Sequence, residues 1–559
     1  MKRKPEQLAS NTFDMIVIGG GIYGACIVWD AALRGLSVAL IERNDFGQET
    51  SANSLKTVHG GLRYLQDADI NLVRRMIYER STYLRIAPHL VHPLACLTPT
   101  YSQLMKSKLV MGAALKLNDL AGFDRNRGSH PEKIIQSSHL VSRQDCLKVL
   151  PELPDQSVTG GAIWYDAQIY DTERLTLSFI RSAATRGAIV CNYLEAVGLL
   201  KQGNQVSGVK ARDTLSGDDF DIRARVVVNA AGPWVDQILW DATPQSSDKK
   251  FNQSLAMNFI TRKVFNDYAV GLPSWQDRNY VSNGDEKESH MLFVSPWRGK
   301  SLVGTFHSHF HGEPDQFELT EELVEGMLAE ANSAYPSAEL KREDISFIHH
   351  GFLPEELNSE DAEVKLVRKG RIYDHRNEDG IQGLISVIGV KYTTARHLAE
   401  RAVNLAYDYL GSEPPDSKTD STQIHGGQVN NFSDYLIQTI KEDSSELNPG
   451  LIDHLVRSYG SDYHRVRDLI DDEGENKGLD LSSPQVLKAM ISIAVQDEMA
   501  IKLSDVIFRR TGIGSTEKPA GNSLEQCAEF MAGELGWSET EKENELDEVR
   551  TIYDNHRIG

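Results

Sequence analysis

Residues 15–43 read MIVIGGGIYGACIVWDAALRGLSVALIER. The apolar run Met15–Ile18 enters three consecutive glycines, as expected of a buried parallel strand. Gly19, Gly21 and Gly24 fit G-x-G-x-x-G. The first glycine permits a tight turn, the second lets backbone approach a pyrophosphate, and the third lets helix pack on strand. The spacing predicts a helix from about Ile22 to Arg34 that stops at Gly35, then a second strand over LSVALIE. Glu42, 18 residues beyond Gly24, has the spacing of an acid that holds a ribose hydroxyl. Strand, glycines, helix, strand and acid in order predict a bound dinucleotide; the alternative is a glycine-rich packing turn. The motif alone does not choose between FAD and NAD. A unit starting at Asp14, with a candidate closing segment late in the chain at Gly389, suits FAD.

The rest of the composition narrows the class. At roughly 150 residues per unit, 559 residues suggest three or four units. Lys plus Arg is 59 and Asp plus Glu is 80, so the formal charge is −21. That excludes general nucleic-acid binding but allows a local basic patch around an anionic substrate. Cys26, Cys96, Cys146, Cys191 and Cys527 are scattered, with no C-x-x-C pair. They read as reduced thiols, not as disulfides or a zinc site. The N-terminal MKRKPEQLASNTFD has no apolar signal core, and no apolar run reaches the ~18 residues of a span. A cytoplasmic protein is expected.

Directly after Glu42 and Arg43 comes NDFGQETSANSLKTVHGGLRYL, residues 44–65, dense in hydroxyls and glycines. Here the chain resembles the FAD-dependent, respiratory glycerol-3-phosphate dehydrogenases, whose pattern is close to T-S-x-x-S-x-K-x-x-H-G-G-L-R-Y-L. Later blocks resemble that family in order: YDAQIYDTERLTLSFIRSAATRGAIV (165–190), ARVVVNAAGPWVDQI (224–238), LFVSPWRGKSLVGTFHSHFHGEP (292–314) and LISVIGVKYTTARHLAE (384–400). YGSDYHRVRDLI (459–470) and DEMAIKLSDVIFRRT (497–511) resemble its C-terminal helical domain.

The resemblance implies FAD as cofactor and hydride transfer from a secondary alcohol to the flavin. It implies cofactor contacts at Gly19, Gly21, Gly24, Glu42, Thr50, Ser51, Ser54, Lys56, Gly60, Gly232, Gly389 and Thr393. His59 is the candidate base, since its ordinary pKa lies near neutrality; its bland alternative is a packed histidine. Arg63 and Lys391 are candidates to hold an anion or to stabilise charge on the reduced flavin; the alternative is a structural cation. Arg63, Tyr64, His307 and Arg368 are expected to touch substrate.

The departures bear on substrate choice. Where the family carries an arginine to the substrate phosphate, HGFLPE places Leu353. Met257 in LAMNFIT is expected to replace a family histidine, Phe306 and His307 alter a G-T-T-D block, and Val390 replaces a glycine. Loss of one phosphate contact costs about 1.5–3 kcal/mol. His307, His309, His311, His349 and His350 cluster in these segments. Without a supporting carboxylate pattern, no metal is expected.

The expected fold class is α/β. A Rossmann-like FAD domain occupies 1–240 and 345–405, and a mixed or antiparallel-sheet substrate domain occupies 241–344. A linker covers 406–424, rich in Pro, Gly and Ser, and a helical domain covers 425–559. LMKSKLVMGAALKLNDLAGF mixes lysines with an apolar face and reads as an interfacial helix or a buried cap. The resemblance implies a quinone acceptor, peripheral attachment to the inner face of the cytoplasmic membrane, and a homodimer. The competing readings are a flavoenzyme with a shifted substrate, such as another hydroxy compound or an amine, and a non-catalytic flavin-binding protein.

Overall fold

The computed structural model describes residues 1–102, 107–153, 158–242, 250–275, 289–357, 364–443, 447–470 and 478–557. The first strand, Thr12–Ile18, sits mid-sheet, hydrogen-bonded in parallel to Val38–Ile41 on one side and Asp219–Asn229 on the other. Ile189–Cys191 and Leu384–Ile388 extend the parallel pairing outward. Apolar residues on both faces of these strands need cover on both faces, and helices supply it. The helix Ile22–Leu33 is buried almost all round, packed between Thr172–Thr185 and Ala395–Leu410. It ends where Gly35 takes a φ of +91°, a left-handed conformation that glycine adopts without steric cost.

A second, nine-stranded sheet is mixed. Asn252–Thr261, Lys300–Phe310, Ser289–Trp297 and Phe347–Glu355 pair antiparallel. Tyr268–Trp275 then pairs in parallel with Val91–Tyr101, which lies antiparallel to Val158–Ile169. This corrects the sequence reading. Residues 57–169 were placed with the FAD domain, yet they supply Thr57–Val58, Val91–Tyr101, His139–Ser142 and Val158–Ile169 to the substrate sheet. The chain enters the second sheet, returns to the first at Ile189, and leaves it again after Asn229.

Helices Phe432–Asp443, Pro449–Tyr459, Pro484–Glu498, Ser523–Leu535 and Glu539–Arg557 build the C-terminal part. The segment read as a linker is not free. Residues 406–410 finish the helix Ala395–Leu410, and Thr419 and Ile424 are buried. Thr419 Oγ1 accepts from Arg396 and approaches Asp30, so a hydroxyl of this segment satisfies buried charge.

Candidate active site

The glycine-rich turn is tight enough to exclude side chains. A Cβ on Gly24 would lie 1.9 Å from the Gly19 carbonyl oxygen, and one on Gly19 would lie 2.6 Å from the Ala230 carbonyl. Backbone therefore faces a long cavity between the two sheets, lined by Gly19, Gly21 and Glu42 at one end. The Glu42 carboxylate accepts from the Gly20 and Asn44 amides at 2.6 and 2.9 Å, which holds it across the turn. Burial pushes its pKa up, against those two amides. Thr50, Ser51 and Ser54 line the cavity too, and Ser51 Oγ accepts from the Ile22 amide at 3.0 Å. Gly232 and Gly389 line it as well. A Cβ on Gly389 would overlap the Tyr23 ring, 1.9 Å from its nearest atom.

Four expected cofactor contacts lie differently: Gly24 packs helix against the turn and is not in the cavity lining. Lys56 borders the cavity, but its ammonium turns away. It donates to Ala52 O, Thr172 Oγ1 and both Glu173 carboxylate oxygens at 2.8–3.1 Å, 4.8 Å from the centre of the Trp297 ring. Gly60 and Thr393 lie behind the wall. The Gly60 amide donates to Asp166, and Thr393 Oγ1 accepts from the His59 amide at 3.0 Å.

His59 and Lys391 also line the cavity, close enough for Lys391 to act on the His59 ring. His59 has 43 % of its side-chain surface exposed, and its Nδ1 lies 4.0 Å from Asp166 Oδ2. Its pKa is lowered: the surrounding protein disfavours the charged form, Asp166 opposes this, and Lys391 and Arg80 reinforce it. Lys391 donates to the Arg368 carbonyl and sits 5.0 Å from the centre of the Tyr64 ring. Burial, then Arg63, then Arg368, bring its pKa down to about 8. Arg63 is exposed on the short helix Leu62–Leu65, and Arg368 pairs with Asp67 at 3.0 Å. Of the predicted anion and substrate contacts only Lys391 lines the cavity; Tyr64, Arg63 and Arg368 gather around it just outside the lining, and both arginines disfavour its charge. That is the electrostatics of an anion site.

His307 is a different case. It lies on Lys300–Phe310 but is not among the cavity-lining residues, whereas Thr305, two residues earlier, is. Met257 also points away, buried in the apolar core of the substrate sheet with Leu255 and Phe259. Ala256 and Asn258 take the cavity face, and Asn258 Oδ1 accepts from the Thr305 hydroxyl at 2.9 Å. The period-two alternation of Leu255, Met257 and Phe259 was the signal that Asn258, not Met257, faces the ligand. Asn53 and Glu49, also on the cavity wall, carried no such signal.

Residues 14–386 match the family model described as FAD dependent oxidoreductase. Residues 417–542 match the C-terminal domain of alpha-glycerophosphate oxidase. The chain is 30 % identical over 568 residues to a glycerol-3-phosphate dehydrogenase of Synechocystis sp., covering 100 % of this chain and 99 % of that protein. The chain belongs to the FAD-dependent glycerol-3-phosphate dehydrogenase family. It is also 30 % identical to the mitochondrial glycerol-3-phosphate dehydrogenase of Mus musculus, covering 99 % of this chain and 74 % of that protein. A solved structure of the glycerol-3-phosphate dehydrogenase from Bacillus halodurans complexed with FAD superposes with a TM-score of 0.75 at 25 % identity, covering 99 % and 97 % of the two chains. As a member of this family the chain is an FAD-dependent dehydrogenase acting on CH–OH groups. The side-chain-free turn and the carboxylate at its far end fit the cofactor's pyrophosphate and ribose.

Proposed function

We propose that the enzyme oxidises the secondary alcohol of glycerol 3-phosphate, or of a related polyol phosphate, and passes the electrons to a quinone. Bound FAD supplies the hydride acceptor. His59 takes the hydroxyl proton, and Lys391, with Arg63, Tyr64 and Arg368, holds the phosphate. The observation that carries this reading is that His59, whose pKa burial lowers, shares the cavity wall with Lys391, and that Arg63 and Arg368 lie close enough to Lys391 to lower its pKa as well. The test is anaerobic: add glycerol 3-phosphate to the FAD-loaded protein and follow the visible absorbance. Bleaching within seconds is the expected result. A flavin that stays oxidised, yet is reducible by dithionite, would reject this substrate.

A second reading, a shifted substrate, rests on the opposite wall. Leu353 lines the cavity with Gln253, Ala256, Asn258 and Thr305, and none of these is charged. Leu353→Arg adds a guanidinium to that wall. It is expected to tighten glycerol 3-phosphate about tenfold, a modest charge-assisted gain. Unchanged affinity in a flavin-reduction titration would mean that the phosphate never approaches this wall.

Membrane attachment belongs to the same proposal. Among the described residues no helix is long and apolar enough to cross a membrane. The helix Lys108–Ala121 instead turns Leu109, Leu117 and Leu120 outward, at 80, 54 and 70 % exposure, with Phe123 just beyond at 77 %. Leu115 and Asn118 face inward. Residues 104–106 of the predicted interfacial segment lie outside the described ones. Spacings of eight and eleven residues put the three leucines on one stripe, as in a helix lying in a headgroup layer. Leu109→Glu with Leu120→Glu is expected to weaken binding to anionic vesicles roughly a hundredfold, from the apolar area lost. Equal co-sedimentation of variant and wild type would remove the helix from the membrane surface.

A further inference from the structure

Asp166 lies in the strand Val158–Ile169, behind His59 as seen from the cavity, and is 6 % exposed. Its two oxygens have separate duties. Oδ1 accepts from the Gly60 amide and from Arg80 Nη1 at 2.9 Å. Oδ2 accepts from the Trp164 indole N–H at 3.0 Å and faces His59 Nδ1 at 4.0 Å. Arg80 is 1 % exposed and also donates to the Tyr165 carbonyl, so it cannot swing out and the carboxylate cannot turn. The His59 amide, tied to Thr393 Oγ1, anchors the histidine backbone.

We infer that Asp166 is the positioning residue for His59. Its Oδ2, 4.0 Å from Nδ1 and beyond hydrogen-bond reach, acts on the ring through charge: it favours a proton on Nδ1 and leaves Nε2 as the acceptor for the substrate's proton. This rests on the reading of His59 as the base. When the alcohol is oxidised, its O–H proton passes to Nε2, its C–H electron pair leaves as hydride to the flavin, and a C=O bond forms. The imidazolium then places its Nδ1–H against a carboxylate already fixed by three donors. A carboxylate behind an imidazole serves in this way in general-base catalysis, by orientation and charge and not by taking the proton itself. The charged groups facing His59 from the elements around it are Asp166 on this strand, Arg80 on the helix Ile70–Ile86 and Lys391 beyond the strand Leu384–Ile388. Only Asp166 favours the protonated ring.

Two substitutions, one of the carboxylate and one of its indole donor, move the base in opposite directions. Asp166→Asn removes the charge that favours imidazolium. The acid limb of the flavin-reduction profile should move down by about one pH unit, and the limiting rate should fall roughly tenfold to a hundredfold. Trp164→Phe deletes only the competing indole donor and frees Oδ2 for the ring. Its acid limb should move up, and it also serves should the asparagine variant not fold. NMR of the FAD-loaded protein with 13C-labelled histidine, the His59 signal identified by its loss in His59→Gln, reads tautomer and titration without any substrate. An Nε2–H tautomer in the wild type overturns the inference, as does a His59 titration unmoved in both variants. A slower rate with an unmoved profile overturns it too, because that is what a merely structural aspartate would give. His59→Gln that reduces flavin at the wild-type rate rejects the base itself, a separate failure.

Discussion

Lys391→Ala should reduce its flavin about a hundredfold to a thousandfold more slowly than the wild type while keeping FAD bound. The size follows from removing one preorganised charge from a low-dielectric site, about 3–4 kcal/mol. The selectivity follows from how the segment is held. The Tyr23 hydroxyl donates to the Lys391 carbonyl at 2.7 Å and accepts from the Val390 and Lys391 amides at 3.0 Å. All three contacts are to backbone, so truncating the side chain leaves the wall around Gly389 in place. The cofactor's expected grip, at Gly19, Gly21 and Glu42, is made by other parts of the cavity wall. Lys391 also predicts a pH dependence with a definite sign. With a pKa near 8 its ammonium is charged below that pH and is lost above it. Affinity for an anionic substrate should therefore weaken as pH rises through about 8, and Lys391→Arg, which stays charged, should flatten that limb. Stopped-flow reduction at several pH values, beside FAD retention after gel filtration, checks both. A Lys391→Ala enzyme as fast as the wild type would strip Lys391 of any role in the reaction.

The sequence shows the flavin half well because its constraints are local. Gly19, Gly24 and Glu42 fall within 24 residues, and their spacing is imposed by one turn and one helix. The substrate half is less legible because its contacts are distant. Lys56 reads as a cofactor ligand from its neighbours in sequence, but its partner Glu173 is 117 residues away. Asp166 sits in a quoted motif without a role, since nothing local to it announces a histidine 107 residues earlier. Residues 57–169 read as part of the first domain because sequence order gives no sign that the chain visits the second sheet twice. Met257 against Asn258 is different: the period-two alternation of Leu255, Met257 and Phe259 is present in the sequence and fixes Asn258 as the residue on the cavity side.

Asp45→Ala should cost about 3–5 kcal/mol of stability, the usual result of leaving buried cations without their partner. Asp45 is fully buried in the loop after Val38–Ile41. It accepts from Arg509 Nε at 2.6 Å, from both terminal nitrogens of Arg510 at 2.8 and 2.7 Å, and from Asn192 at 3.1 Å. Arg509 keeps Asp505 after the substitution, but among the described residues Arg510 keeps hydrogen bonds only to the Glu498 carbonyl. Two nearby arginines hold the Asp45 carboxyl down at about 2 against its burial. Its folded pKa is thus depressed, so its contribution is present above the unfolded value near 4 and fades as pH falls toward 2. The wild type should lose stability across that window more steeply than the variant. The damage should also reach the cofactor. Arg43, Gly47, Gln48 and Glu49, which flank Asp45, line the cavity, while Arg509 and Arg510 belong to the C-terminal part. Arg174 and Arg181 brace the same junction by sharing Glu498 at 2.6 Å each. The C-terminal helices therefore act on the flavin site through buried charge, and Asp45→Ala should release FAD at a temperature where the wild type retains it. Thermal unfolding followed together by flavin fluorescence and circular dichroism separates the two events. Coincident transitions at the wild-type midpoint would mean that the ion pairs contribute nothing to docking.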